Sequence, residues 1–319
     1  MISRRNIRIK VMQTLYTYST SEQGLSKEQA LDSLHKKLDH TLQLFVGLIY
    51  TITEICHYAE RDARNRASKH LPSADDLRVN TKISGNLLLE KILEYPSYRQ
   101  DLKTIHPEHF IQEEQIRRLY NELIETTVYK NYILSELRDK KQEKEIVEFI
   151  FTDLILPNET FIGQLEEQFV NWDDDAEMIR LLMLNFLKKP QTYPFQQFVS
   201  DEKQTYARDL LLAVIEKQET CDALIKPKLI NWDPERTALI DMLLIRMGVC
   251  ELLYFETIPP KVTINEYIDL AKEYSTPQSG HFVNGILDSI HKDLARENKL
   301  HKVEFRKQSE RNNGNFAKS

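Results

Sequence analysis

The sequence predicts an all-α protein. Only 8 of the 319 residues are glycine. The chain is rich in Leu, Ile, Glu, Lys and Gln, most of which lose little side-chain freedom in a helix. Apolar residues recur every three or four positions through long stretches without turn clusters. The length leaves room for two or three domains. No apolar run approaches the ~20 residues of a membrane span. Met1-Ile2-Ser3-Arg4-Arg5 begins like a secretory leader, but no unbroken apolar segment follows it, so a cytoplasmic protein is expected. Cys56, Cys221 and Cys250 fall on apolar helical patterns and read as reduced core residues. No Cys/His spacing suggests a zinc site, and no metal or cofactor is expected.

The net charge of −6 conceals an asymmetry. Residues 1–20 carry Arg4, Arg5, Arg8 and Lys10 without an acid, a charge of +4, and residues 292–319 also sum to +4. The body between them is therefore −14. Nucleic-acid contact is expected only at the two basic ends.

Residues 1–20 read as one amphipathic helix with Ile7, Val11, Leu15 and Tyr18 on its apolar face. Arg4, Arg5 and Arg8 lie in its first turns, where cations oppose the helix dipole. A phosphate there would meet both the arginines and the free N–H groups, while a solvated basic face is the plainer reading. Residues 25–65 repeat Leu38, Leu42, Phe45, Ile49 and Ile52 at helical period and end in a basic stretch, Arg61 to Arg66, which reads as a solvated face. Leu71 to Thr81 is loop-like. The following helix is broken by Pro96 and Pro107. Residues 112–149 are charged and periodic, with Glu143 and Glu145 expected on a solvated face beside Lys140, Lys141 and Lys144.

Asn171-Trp172-Asp173 is echoed by Asn231-Trp232-Asp233, and Asp153-Leu154-Ile155-Leu156 by Asp209-Leu210-Leu211-Leu212. This suggests that 149–189 is a degenerate copy of 205–250. Residues 203–225 form a further helix. Asp233 and Pro234 suit the N-cap and first position of a helix over 235–255, apolar on so wide a face that it is expected at the centre of a core. Arg246 and Glu251 interrupt that face, either as rim or ion-paired residues or as contacts to a partner. From Lys292 the chain is polar and basic, and its last part, Gln308 to Ser319, is expected to be disordered.

The most specific pattern runs from Ile258 to Asp288. Pro259 and Pro260 stop the preceding element. Ile264, Tyr267, Ile268 and Ala271 then form a helical stripe, and Pro277 ends it. Ser279 suits an N-cap for a second helix, in which Phe282, Ile286, Leu287 and Ile290 share a face. Gly285 in mid-helix is expected to mark close backbone approach. Written out, P-x-V-x-I-N-E-x-x-x-L-A-K followed by S-x-x-F-V-N-G-x-L-D resembles the C-terminal signature of the NusB family of transcription antitermination factors. The matches are Pro260, Val262, Ile264, Asn265, Glu266, Leu270, Ala271, Lys272, Ser279, Phe282, Val283, Asn284, Gly285, Leu287 and Asp288. The start of the chain, R-R-x-x-R-x-x-x-x-Q-x-L-Y at Arg4, Arg5, Arg8, Gln13, Leu15 and Tyr16, resembles the family's first helix, departing from it at Asn6, Ile9 and Lys10.

The resemblance implies a NusB-like helical bundle core at 200–292 with the basic helix 1–20 packed on it. An added helical segment at 21–199 and a basic tail at 293–319 complete the chain. It further implies an RNA-binding surface that includes Arg4, Arg5, Arg8, Gln13 and, where lysine is common, His281. Asp241 stands where the family often carries an acid facing its protein partner, and with Arg246 and Glu251 it makes the expected partner contact. Tyr254 and Phe255 stand at a turn that is basic in bacterial members. The implied partners are a boxA-like single-stranded RNA, the small-subunit ribosomal protein NusE, and an RNA polymerase elongation complex with other Nus factors; no membrane is implied. No glycine-rich phosphate loop or nucleophile elbow is present, so an enzyme is not expected. The alternative is a protein-interaction scaffold without RNA binding of its own, for which the acidic body would attract a basic partner.

Overall fold

The computed structural model describes residues 2–135, 138–190, 198–229 and 238–303. In chain order its helices are α1 Arg4–Thr20, α2 Lys27–Ala67, α3 Leu87–Glu94, α4 Pro96–Ile105, α5 Glu113–Glu125, α6 Thr127–Leu134, α7 Lys140–Phe149, α8 Glu159–Gln168, α9 Trp172–Lys188, α10 Asp201–Glu216, α11 Gln218–Ile225, α12 Leu239–Tyr254, α13 Pro260–Tyr274 and α14 Ser279–Arg296. Short 3-10 turns join several of them, and no strand occurs among the described residues. The fold is all-α. The chain divides into two compact units, one of residues 1–2 and 36–201, the other of residues 3–35 and 202–319. The boundaries fall at 2/3, 35/36 and 201/202, against the expected 20/21, 199/200 and 292/293.

In the first unit the later part of α2 supplies a long apolar face, with Phe45, Ile49, Ile52 and Ile55 buried. Phe45 meets Phe186 and Phe198 at ring-centroid distances of 5.8 and 5.7 Å. A stretch of α2 is long and apolar enough to cross a membrane by composition alone, contrary to the sequence reading, but 72% of it is buried inside the protein. It needed its burying partners to be recognised as a core helix. Glu143 is a second correction. It is buried rather than solvated, accepting from Tyr132 Oη at 2.9 Å and from Leu87 N–H at 2.8 Å. Asn86 caps α3 by accepting from the N–H groups of Leu88 and Leu89, and donates to the Glu143 carbonyl at 2.9 Å. Cys56 is buried and free.

The internal echo is only partly visible. Trp172 opens α9, but its counterpart at Trp232, like Asp233 and Pro234, lies outside the described residues. Asp153 to Ile155 lies in a π-helical stretch, Ile150–Ile155, whereas Asp209 to Leu212 lies within the regular α10. The terminal run 308–319 is also outside the described residues.

In the second unit α12 is central, packed against α1, α11, α13 and α14. It starts at Leu239 with Ala238 as N-cap, later than the expected 235. Leu243, Leu244, Ile245, Met247, Val249, Cys250 and Leu252 are buried around its whole circumference, as an enclosed helix requires. Gly248 allows α14 to approach. A Cβ there would lie 2.8 Å from both Leu287 methyl carbons and 3.3 Å from Tyr267 Cδ2. Gly285 does not have that role, because a Cβ there would meet nothing within 4 Å. Ile264, Tyr267, Leu270 and Ala271 on α13 and Phe282, Ile286, Leu287 and Ile290 on α14 are buried. After α14 the chain turns back. Lys302 Nζ donates to the carbonyls of Glu251 and Phe255 at 2.9 and 2.7 Å, satisfying two acceptors at the end of α12.

Candidate nucleic-acid interface

The basic helix α1 begins with a capping box. Ser3 Oγ accepts from Asn6 N–H at 3.2 Å, and the Asn6 side chain accepts from Ser3 N–H at 3.3 Å. From Ile7 to Met12 every residue is buried, so α1 is an enclosed helix over this stretch rather than the amphipathic one expected. Its arginines consequently separate into two environments.

Arg8 points inward. It is 2% exposed and faces Glu251 of α12, which is 0% exposed. Arg8 Nε and Nη2 donate to the two Glu251 carboxylate oxygens at 2.9 and 2.7 Å, a bidentate pair. Tyr206 Oη of α10, Tyr267 Oη and Thr263 Oγ1 of α13 donate to the same carboxylate at 2.9, 2.8 and 3.0 Å. Arg8 Nη1 reaches Glu266 at 3.1 Å, and its guanidinium lies 5.8 and 5.7 Å from the Tyr206 and Tyr267 ring centroids. Burial by itself would raise the Glu251 carboxyl, but Arg8 and the tyrosine hydroxyls outweigh it and hold the group below its ordinary value. Burial, then the Glu251 charge, pushes the Tyr206 and Tyr267 hydroxyls well above theirs. This clamp fixes α1 to three helices of the unit. It leaves Arg8 unable to reach a phosphate at the surface, which corrects its expected role. The sequence signal lay in two places at once: a cation inside the run Ile7-Arg8-Ile9, and an anion on the most apolar helix.

Arg4 and Arg5 face outward. Arg4 pairs with Glu202 and lies 5.8 Å from the Tyr206 ring centroid. Arg5 pairs with Glu273 at 2.6 Å and lies 3.9 Å from Glu266. Carboxylates thus occupy the position at the start of α1 where a phosphate was expected. Gln13 is half-buried, and His281 is exposed in the first turn of α14. The second unit thus holds Arg4, Arg5, Gln13 and His281 where solvent reaches them wholly or in part.

The expected partner contacts are taken up internally. Asp241 is buried and accepts from Ser279 Oγ at 2.8 Å. Ser279 is the first residue of α14 rather than its cap. Arg246 makes a bidentate pair with Asp222 of α11, at 2.9 and 3.2 Å. Glu251 belongs to the clamp. All three positions are therefore better explained by packing within the unit than by contact with a partner. Phe255 packs edge-on against Tyr206 at 5.4 Å, while Tyr254 remains exposed. Asn265 and Asn284, polar residues of the α13–α14 pattern, are exposed and were not singled out as site residues.

Residues 169–292 match the NusB family model. The match begins within α8–α9, in the segment expected to be an insertion, and does not include α1. A protein of Salinibacter ruber named transcription antitermination protein NusB is 44% identical over 98 residues, 31% of this chain and 61% of that protein. Proteins of the same name from Chloroherpeton thalassium and Methylacidiphilum infernorum are 42% and 44% identical over 93 and 87 residues, 29% and 27% of this chain. The chain covers 44% and 61% of these two, so it spans less than two thirds of the length of the relatives it matches. No solved structure matches.

Proposed function

We propose that the protein acts in transcription antitermination, as the relatives it resembles are named. The observation that carries the proposal is the family match, which includes α12, α13 and all but the last four residues of α14. In this reading the protein binds a boxA-like single-stranded RNA together with NusE and joins an RNA polymerase elongation complex with other Nus factors. Arg4 and Arg5 supply phosphate neutralisation, with Gln13 and His281 on neighbouring surface. Arg8 positions α1 through Glu251 and does not touch RNA. Exchanging Glu202 and Glu273 for phosphates costs little, because exposed ion pairs contribute only about 0–1 kcal/mol.

The test is binding of a labelled boxA-type RNA across a salt series, with and without NusE, for the native protein and for Arg4→Ala/Arg5→Ala. NusE should tighten binding. Losing two phosphate contacts should reduce the slope of log K against log salt by about 1.4. An unchanged slope removes both arginines from the RNA surface. One observation favours a second reading, a scaffold without RNA affinity of its own: each of Arg4, Arg5 and Arg8 already has a carboxylate partner in the same unit. NusE binding with no RNA affinity at any salt concentration would select it.

A further inference from the structure

The spacing His106-Pro107-Glu108-His109 escaped the sequence reading, which sought Cys/His pairs and found no zinc pattern. The structure brings these side chains together in the first unit, at the turn between α4 and α5. Their candidate ligand atoms all lie within 4.8 Å of one another, and all three residues are exposed. Glu108 Oε1 is 2.8 Å from His106 Nδ1. The two imidazole rings stack with centroids 5.1 Å apart and planes 15° from parallel.

The turn that carries them is anchored. His106 caps α4 in the left-handed region, φ 51°, its N–H donating to the Leu102 carbonyl at 3.1 Å. Histidine is among the few residues enriched there. Pro107 is buried, and its carbonyl accepts from Ile111 N–H at 2.9 Å. Phe110 packs edge-on against Phe169 at 5.4 Å. Its ring also lies over the backbone of Gly47, where a Cβ would come within 2.7 Å. The backbone beneath the cluster is thus held by the core while the three side chains lie exposed above it.

We propose that His106, Glu108 and His109 form a site for a late first-row divalent cation, with zinc(II) as the fitting ion. Two imidazole nitrogens and one carboxylate oxygen are a donor set suited to that class, and three protein ligands leave a position for solvent. Tetrahedral ligand atoms around zinc sit roughly 3.3 Å apart. Exposed side chains reach that spacing by rotamer changes, with no movement of the anchored backbone.

The test is calorimetric titration of the tag-free protein with zinc chloride, checked by competition with a chromophoric chelator. One equivalent should bind. His109→Ala and His106→Asn should each weaken binding at least about tenfold, the asparagine retaining a residue that tolerates the left-handed backbone. His70→Ala, at an exposed histidine outside the cluster, should bind as the native protein does. Unfolding curves recorded without metal establish that the variants fold. Unchanged stoichiometry and affinity in either cluster variant would overturn the site, as would equal weakening in His70→Ala.

Discussion

Arg8→Ala removes the cation from a carboxylate that has no access to water. Glu251 keeps its hydrogen bonds from Tyr206, Tyr267 and Thr263 but loses the bidentate pair at 2.9 and 2.7 Å. An ionised carboxylate stranded in this way costs about 3–5 kcal/mol of stability. At about 2–4 °C per kcal/mol for a domain of roughly this size, the second unit should melt roughly 6–20 °C lower. Scanning calorimetry, supported by urea unfolding, measures the loss. The double variant Arg8→Met/Glu251→Gln removes both charges while leaving an acceptor for the hydroxyls. It should be more stable than the two single losses added together, with a coupling of about 1–3 kcal/mol. An Arg8→Ala cost below about 1 kcal/mol, the range of an exposed pair, would refute the argument. A confirmed cost has a practical consequence. Tests of the proposed RNA binding should vary Arg4 and Arg5 alone, since an Arg8 variant would confound binding with lost stability.

The clamp also sets a pH dependence. Glu251 is held below its ordinary value, so its contribution is complete above about pH 4.3 and is lost as pH falls through the lower folded value; substituting Glu251→Gln should flatten the acid limb of the stability profile. Gly285→Ala should stabilise by about 0.5–1 kcal/mol, because the position is helical and the added Cβ meets nothing within 4 Å. Gly248→Ala should destabilise by about 1–3 kcal/mol through collision with Leu287, and equal midpoints for the two glycine variants in urea would contradict this. Arg4→Ala/Arg5→Ala should change the midpoint little, since each exposed pair contributes about 0–1 kcal/mol.

The helices α13 and α14 were legible because Pro259, Pro260 and Pro277 mark their ends and their apolar residues keep strict helical spacing. Glu143 and Arg8 were misread for a common reason. Periodicity records which residues are apolar, but it does not record which charged residue finds a partner from a distant part of the chain. Glu143 finds Tyr132 and the start of α3, and Arg8 finds a residue 243 positions away. Gly285 shows the converse. Both it and Gly248 lie inside helices, and only the neighbouring element distinguishes a glycine that admits contact from one that faces open space. His106, Glu108 and His109 were passed over because their proximity depends on one left-handed residue, which local sequence does not announce.

The Arg8–Glu251 separation also bears on how the protein is made. On a ribosome adding about 5–20 residues per second, Glu251 follows Arg8 by roughly 10–50 s. Small helical units fold in microseconds to milliseconds, so the unit formed by residues 1–2 and 36–201 can complete its core while α1 still waits, arginine uncompensated and apolar residues uncovered. The nascent chain therefore passes through a long interval with one finished unit and one open one. During that interval α1 is the segment most in need of a chaperone.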